Sequence, residues 1–491
     1  MALAVAAVAA APNAESFTKA GFRAGTDQRA HRLHRFDPAR EEPSVDRDLP
    51  PAFERQRRGL AVGHFRAGAE KARQCPFPGS GLWLPALSPR EQPWVSRQVT
   101  DAPWRRTARW RIVEPMAPDE RFCEIADKHA RLMAVAETAG VRGLLLTTQP
   151  NFSWVTGGLT NRIDGSRESG NGALLFTVDG RRYLVANAIE SPRLAAEALA
   201  GAGFESIEYG WTEERADPAL PVRLAMDVAG GAIGCDVPLG GVRVLEQQIA
   251  RIRAPLTSRE LRRYRDLGRA VGSVIGHVAR TVEVEASEQE VAGALTSALA
   301  PFQIRPVVLL VAADERIARF RHPPPTSARW FRRLLIATCA ERDGLVVAAS
   351  RLIQVTRPDD DLARRMRASA QTCAALLEAT EAGATGARLF EVAVSAYAAA
   401  GFPGEERLHH QGGAIGYRAR EWIAHPASSD VVTPPQAFAW NPTVTGTKIE
   451  ESCLVDEDGR IETVTNSPDW PSIEVAIRGQ RVTLPDVLVR D

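Results

Sequence analysis

The chain has 491 residues, which is enough for two or three domains that each bury a core of their own. The net charge is +1, so no global charge favours a nucleic acid or an anionic membrane as a partner. The six cysteines are scattered without a CxxC pair, and no apolar run reaches the roughly 18 residues of a membrane span. We therefore expect a cytoplasmic protein with no nucleic-acid partner and no membrane partner.

The first 117 residues differ in composition from the rest. The alanine-rich start has no preceding Lys or Arg, which argues against a secretory signal. Residues 13–115 are rich in Arg and Pro and show no sustained period of 2 or 3.6 residues. They could form a basic, aromatic-dotted arm for a nucleic acid or a partner protein. The interpretation that we favour is a disordered extension over 1–117, or a start codon placed too far upstream, with Met116 as the true start.

Helices and strands alternate in the next segment, which predicts an α/β domain over 118–252. Its hairpin signal is the dipeptide Asp179-Gly180 between two apolar runs. The predicted elements are, in chain order, a helix over 119–140, strands over 141–148, 172–178 and 181–187, a helix over 191–201, a strand over 206–211, a helix over 222–230 and a strand over 232–238.

The remainder predicts an α+β domain over 253–491, with helices on one side of an antiparallel sheet. Thr257 or Ser258 can cap a long first helix, and Ser287 with Glu290 forms a capping signature for a second. The acidic run that starts at Asp359 also opens a helix, so we interpret it as capping and not as a metal site. The other predicted elements are strands over 307–313, 334–340 and 345–355, helices over 359–383 and 387–401, and a final series of short strands.

Several segments resemble the creatinase, prolidase and aminopeptidase P superfamily in their order and spacing. They are GVRGLLLTTQPNFSWVTGG, IRAPLTSRELRRYRDLGRAV, HPPPTSARWFRRLLIATCAERDGLVVAASR, HHQGGAIGYRAREW, FAWNPTV and GTKIEESCLVDEDG, and the resemblance covers residues 118–470. It implies an α/β creatinase-type domain over 118–252, followed by an α+β pita-bread domain over 253–491. It also implies a small-molecule or short-peptide substrate and a homodimer.

The resemblance also shows which metal ligands are missing. The family's peptidases bridge two divalent metals with two Asp, one His and two Glu, so that a shared water becomes a hydroxide. The matching positions here hold Ala337, Ala348, Gly413 and Asn441, and Glu450 alone survives. One carboxylate cannot hold two hard cations, because they need several anionic oxygens to offset their dehydration. We therefore expect no metal and no other cofactor.

Part of the family's pocket persists. The resemblance places His322 and His409 where the family keeps pocket histidines, and a histidine near its ordinary pKa can move protons at pH 7 without a metal. With Glu450 they form the predicted catalytic set, although a lone histidine beside a proline is more often an ordinary loop residue. The predicted substrate-binding residues are Asn441, Arg420, Glu421 and His410. Arg420 could bind a carboxylate with two hydrogen bonds, or could simply pair with Glu421.

Three functions remain open. The first is a metal-independent hydrolase that cleaves a C–N bond of a small amide, dipeptide or guanidino compound by histidine acid–base chemistry. The second is a catalytically silent relative that acts as a binding or regulatory protein. The third is an Xaa-Pro peptidase-like enzyme with a rebuilt single-metal site, made of His409, His410 or His425 with Glu450, since imidazole and carboxylate suit zinc or manganese.

Overall fold

The computed structural model describes residues 118–490, so the predicted extension over 1–117, including Met116, lies outside the described residues. Helices and strands alternate over the first part, as predicted. The helices are α1 (Pro118–Ala139), α2 (Gln149–Val155), α3 (Ser191–Arg193), α4 (Trp211–Ala216), α5 (Leu220–Ala229) and α6 (Glu246–Arg253). The strands are β1 (Gly143–Thr148), β2 (Ser169–Thr177), β3 (Arg182–Asn187), β4 (Glu205–Tyr209), β5 (Ile233–Cys235) and β6 (Arg243–Val244).

These six strands form one mixed sheet in the order β4-β3-β2-β1-β5-β6. β2 runs antiparallel to β1 and β3, whereas the other neighbouring strands run parallel. The predicted hairpin at Asp179-Gly180 is confirmed, since β2 and β3 pair on either side of it. Gly180 has a φ of +89°, which glycine adopts without steric strain. The predicted α/β character of this part is therefore confirmed.

The second part is built around a larger sheet. Its helices are α7 (Ser258–Thr281), α8 (Glu288–Leu299), α9 (Arg316–Arg319), α10 (Asp360–Ala379) and α11 (Gly386–Ala399). Its strands are β7 (Arg305–Ala313), β8 (Arg333–Arg342), β9 (Leu345–Gln354), β10 (Gly412–Ile415), β11 (Gln436–Trp440), β12 (Glu451–Val455), β13 (Ile461–Thr463), β14 (Ser472–Ile477), β15 (Gln480–Pro485) and β16 (Leu488–Val489). The pair β14-β15 forms a separate small sheet.

The large sheet has the order β10-β11-β12-β9-β8-β7, with β13 beside β12 and β16 beside β9. Leu335 and Ile336 are neighbours in β8, so their side chains point to opposite faces of the sheet, and both are buried. Ile336 belongs to an apolar cluster with residues of α7 and α8, and Leu335 to another with residues of α10 and α11. Helices therefore cover both faces, and not one face as the sequence suggested, because β8 is apolar on both sides.

The predicted helix caps are confirmed. The Thr257 hydroxyl accepts a hydrogen bond from the backbone N–H of Glu260, and the Glu260 carboxylate accepts one from the N–H of Thr257. Ser287 and Glu290 make the same reciprocal pair at the start of α8. Asp359 caps α10 by accepting a backbone N–H, as expected for an acidic residue at a helix start. Among the described residues, none of the helices combines the length and the apolar composition needed to cross a bilayer.

A buried ion network joins α1 to α7. The Lys128 ammonium lies 2.6 Å from a carboxylate oxygen of Glu124 and 2.7 Å from one of Glu260. Arg263 donates two hydrogen bonds to Glu124, at 2.8 and 2.9 Å, and the Tyr417 hydroxyl donates one to Glu260 at 2.7 Å. Two acids and two bases therefore balance each other where the first part of the chain packs on the second. The exact boundary near residue 252 stays a prediction.

Candidate functional site

Three histidines meet at one end of the large sheet. His322 lies in the loop between α9 and β8, and His409 and His410 lie directly before β10. The Nε2 atoms of His409 and His322 are 3.0 Å apart, and the rings of His409 and His410 stack with their centroids 4.5 Å apart. His409 is buried, whereas His322 is exposed to solvent. The structure thus brings together three of the predicted site residues. His322 lies 87 positions before His409 in the sequence, so only the fold makes them neighbours.

Their environment keeps these rings neutral. Burial, followed by the charge of Lys448, lowers the pKa of both His409 and His322 below the ordinary value. Burial and the charge of Arg420 lower the pKa of His410 to about 4. At neutral pH the rings are therefore uncharged. In the contact between His409 and His322, one Nε2–H donates a hydrogen bond and the other Nε2 accepts it.

Glu450 lies beside this cluster, between two buried cations. Nη2 of Arg420 donates a hydrogen bond to one carboxylate oxygen at 2.8 Å, and the Lys448 ammonium lies 3.4 Å from the other. Burial alone would raise the pKa of Glu450, but Lys448 and Arg420 outweigh it and hold the pKa below its ordinary value. Glu450 is therefore an ionised carboxylate shared by two positive side chains.

The strands that carry the family's two Asp positions border this charged group. Cys339 of β8 lies directly opposite Ala348 of β9, and Ala337 lies two residues from Cys339, so the three side chains share one face of the sheet. Burial and the neighbouring charge of Glu450 raise the pKa of the Cys339 thiol to about 11. The charge of Glu450 changes the pKa of Cys339, so Glu450 lies near this face of the sheet. Ala337 and Ala348, which occupy the positions matched to the family's two Asp, therefore lie on the same face as Glu450 and its two cations.

This donor set does not fit a pair of divalent metals. The one carboxylate already neutralises part of the charge of Arg420 and Lys448, so a metal ion would add positive charge to a group that carries an excess of it. Gly413 stands where the family has its metal histidine, and a Cβ atom there would overlap the carbonyl oxygen of Trp422. The close approach of the two backbones therefore leaves no room at this position for the missing imidazole.

Glu421 lies apart from the histidines. Its carboxylate accepts a hydrogen bond from Nη2 of Arg253 at 2.6 Å and another from the backbone N–H of Tyr417 at 2.9 Å. The ion pair that we considered between Arg420 and Glu421 is not the one that forms, because Arg420 turns to Glu450 and Arg253 takes its place. A substrate-binding role for Glu421 stays a prediction, and its contacts are those of a buried structural pair.

Alternation along the chain separates Glu450 from Glu451. Glu451 forms an ion pair with Arg351, with 2.6 Å between the guanidinium nitrogen and the carboxylate oxygen, and does not share the partners of Glu450. The choice of Glu450 as the acid that faces the site agrees with this geometry.

Asn441 lies at the end of β11, where its backbone N–H donates to the carbonyl oxygen of Gln411 at 3.0 Å. Its side-chain oxygen is buried and has no hydrogen-bond partner within residues 118–490. The same holds for Nε of Arg420 and Nδ1 of His409. Buried polar atoms are normally paired, so these three lack the hydrogen bonds that their burial would otherwise require.

Sequence reasoning missed Lys448 and Cys339. Lys448 could have been found, because it lies two residues before Glu450, and residues two apart in an extended segment point to the same side. The proximity of Cys339 to Arg420 arises only from the pairing of distant strands, and no local signal reveals it.

The residues expected for a rebuilt metal site do not all come together. His425 is exposed, and its Nδ1 accepts a hydrogen bond from the backbone N–H of Ala427. One nitrogen from each of His322, His409 and His410 lies within 4.8 Å of the others, a spacing that could hold a transition metal. Two features oppose it, because the backbone N–H of Gly412 donates to Nδ1 of His410 and the buried cations lie close by.

Two cavities lie away from the histidines. One, of about 400 Å³, lies against α7 and β13 and includes Arg265 and Glu462 in its wall. The other, of about 390 Å³, includes Arg162 and Glu341. Neither is lined by the histidines or by Glu450, so their volume does not identify the site, and the convergence of ionisable groups does.

The fold matches solved structures of peptidases. Dipeptidase PepE from Mycobacterium ulcerans is similar with a TM-score of 0.60 and 20% identity, over 71% of this chain and 97% of that chain. The prolidase from Pyrococcus horikoshii OT3 gives 0.58 and 15%, over 70% and 98%. The N-terminal domain of the FACT complex subunit SPT16 from Cicer arietinum gives 0.53 and 11%, over 71% and 96%. In sequence, neither the protein-family models nor the curated proteins gave a match.

These likenesses confirm the predicted fold. The described residues share the fold of these peptidases, the pita-bread fold, with an α/β part first and an α+β part second. At such low sequence identities the likeness concerns the fold, and the reaction has to be argued from the residues of the site.

Proposed function

We propose that this chain is a metal-independent hydrolase on the pita-bread fold. It cleaves a C–N bond of a small amide, dipeptide or guanidino substrate. The observation that carries the proposal is the contact of 3.0 Å between Nε2 of His322 and Nε2 of His409, beside a carboxylate that two cations already neutralise. The two histidines can transfer protons, and they lie at a place where the side chains do not suit a pair of divalent metals.

The two histidines in contact and the charged residues beside them have separate roles in this reaction. Neutral His322, the exposed member of the pair, accepts a proton from a water molecule as the water oxygen attacks the substrate carbon. The C–N bond then breaks, and the same proton passes to the leaving nitrogen. His409 orients the ring of His322 through their hydrogen bond. Arg420 and Lys448, held by Glu450, supply positive charge near the oxyanion that forms during the attack.

Replacing His322 with Ala tests the proposal. We expect hydrolysis of a panel of dipeptides and guanidino compounds to fall by about 100-fold or more, because general acid–base catalysis contributes about that factor. His425→Ala is the matched control, since His425 is exposed and does not belong to the histidine cluster. Equal turnover by the wild-type protein and His322→Ala would refute the proposed chemistry.

The second candidate is a silent binding protein, and the state of Glu450 favours it. Both oxygens of this carboxylate face a cation, so Glu450 is not free to act as a base or a nucleophile. Such a protein would show no turnover in any form, while ligand binding would persist in His322→Ala. A peptidase with a rebuilt metal site would instead contain about one transition metal per chain when purified without chelator.

We also propose that the protein works as a cytoplasmic homodimer. The five cysteines among the described residues are free thiols, which agrees with a reducing compartment. The dimer rests on the resemblance alone. Sedimentation equilibrium would test it, with twice the chain mass expected and a single chain mass as the contrary result.

A further inference from the structure

The cations beside the histidines are not balanced. Arg420 and Lys448 face one carboxylate, Glu450; Lys448 is buried and only 4% exposed, and the side chain of Arg420 is largely buried at 14% exposure. Within residues 118–490, the other ionisable groups that act on Arg420 include Cys339 and Tyr264, which stay uncharged at neutral pH because burial raises their pKa values, and the nearby His410 is neutral as well. A buried positive charge without a counter-charge is costly, so this group is incomplete as it stands.

The hydrogen bonds of Arg420 are incomplete too. Its Nη1 donates to the carbonyl oxygen of Ala419 at 2.6 Å, and its Nη2 donates to Glu450 at 2.8 Å. Its Nε is buried and has no hydrogen-bond partner within residues 118–490. A guanidinium normally uses its donors in pairs toward planar oxyanions. The Nε of Arg420 can only donate, so it requires an acceptor, and a negatively charged oxygen is the best match for a guanidinium.

The group can be reached from solvent. His322 at its edge is exposed, and the side chain of Arg420 is 14% exposed, whereas Lys448 lies deeper. Such a graded opening suits a compact ligand and not a bulky one. A carboxylate group has the size, the charge and the two planar oxygens that an arginine and a lysine together recognise.

We propose that Arg420 and Lys448 form a binding site for the carboxylate group of a small molecule, at the place where the family holds its metals. This inference rests on the proposed function, because we take the ligand to be the small substrate of that reaction or its product. The carboxylate belongs to the substrate or to the acid that hydrolysis releases. In the family's peptidases, acidic residues at this place bind metal cations. In this chain, basic residues at the same place would bind an anion.

Titration with sodium acetate at constant ionic strength tests this site, with sodium phosphate and sodium chloride as the comparison anions. Acetate should raise the thermal unfolding midpoint in a saturable manner, because a ligand that binds the folded state stabilises it. Calorimetric titration gives the dissociation constant. Chloride should produce no saturable shift. Acetate that behaves like chloride would overturn the proposal, and phosphate that binds in preference to acetate would overturn its assignment to a carboxylate.

Two variants of Lys448 sharpen the test. Lys448→Met leaves Arg420 and Glu450 as a neutral pair, so the protein should fold, and acetate should bind about tenfold more weakly. Lys448→Arg keeps the charge and should keep the binding. Arg481→Met is the control, since it removes one positive charge from an exposed position. Unchanged acetate affinity in Lys448→Met would contradict the site.

Binding and turnover fail independently in this design. His322→Ala should lose hydrolysis and keep the acetate-dependent shift, because His322 is not one of the proposed anion-binding groups. A saturable shift without any turnover would refute the hydrolase and leave the carboxylate site standing. Turnover without a saturable shift would refute the site alone.

Discussion

Two buried groups of charges in this protein differ in their balance. The group between α1 and α7 contains Lys128, Arg263, Glu124 and Glu260, two bases against two acids, joined by contacts of 2.6 to 2.9 Å. Every carboxylate there has a base as a partner. Such a group holds two parts of the chain together and has no charge left for a ligand.

The group beside the histidines has two bases and a single acid. Arg420 and Lys448 share Glu450, at distances of 2.8 and 3.4 Å. The contact of 3.4 Å between Lys448 and Glu450 is longer than any of the ion pairs at the α1–α7 junction, so the arrangement beside the histidines is looser. The comparison indicates that charge balance distinguishes a structural network from the binding site that we propose, since both groups are largely buried.

Removing one lysine from each group should lower the free energy of unfolding by different amounts. Lys128→Met leaves Glu260 without its base, and we expect a loss of about 3–5 kcal/mol in the free energy of unfolding. Lys448→Met leaves a neutral pair, so its cost should be much smaller. Urea unfolding measures both, with the exposed Arg481→Met expected within about 0.5 kcal/mol of wild type. Equal losses in the two lysine variants would contradict the difference that we draw.

A smaller effect is expected from pH. The pKa of His410 is lowered to about 4 in the folded protein by burial and by Arg420, from an ordinary value of about 6.5 in the unfolded chain. The unfolded chain therefore takes up a proton first as the pH falls, so stability is full above about 6.5 and is lost between about 6.5 and 4. His410→Gln should flatten this decline in urea unfolding at pH 7.5 and 5.5. His425→Gln, at an exposed position, should leave it unchanged.

Much of the fold is predictable because its signals are local. The capping pair of Thr257 with Glu260 and the hairpin at Asp179-Gly180 each lie within a few residues of sequence, and the structure has both. The choice of Glu450 over Glu451 also follows from a local rule, the alternation of side chains in an extended chain.

The ion pairs of the site are less predictable because they join distant segments of the chain. Arg420 reaches Glu450 across 30 positions, and Arg253 reaches Glu421 across 168. With these distant partners unknown, the adjacent pair of Arg420 and Glu421 was the natural choice. Helices on both faces of the large sheet were missed for a related reason, because periodicity shows that a strand is apolar but not which helices cover it.

Metal content is the most direct test of the central claim, which is that built-in cations have replaced the family's two metals. The protein should be purified without chelator and measured by inductively coupled plasma mass spectrometry for manganese, zinc, cobalt and iron. We expect no stoichiometric metal, because Arg420 and Lys448 already provide the positive charge around Glu450. Two bound ions per chain that are lost in Glu450→Gln would contradict the account.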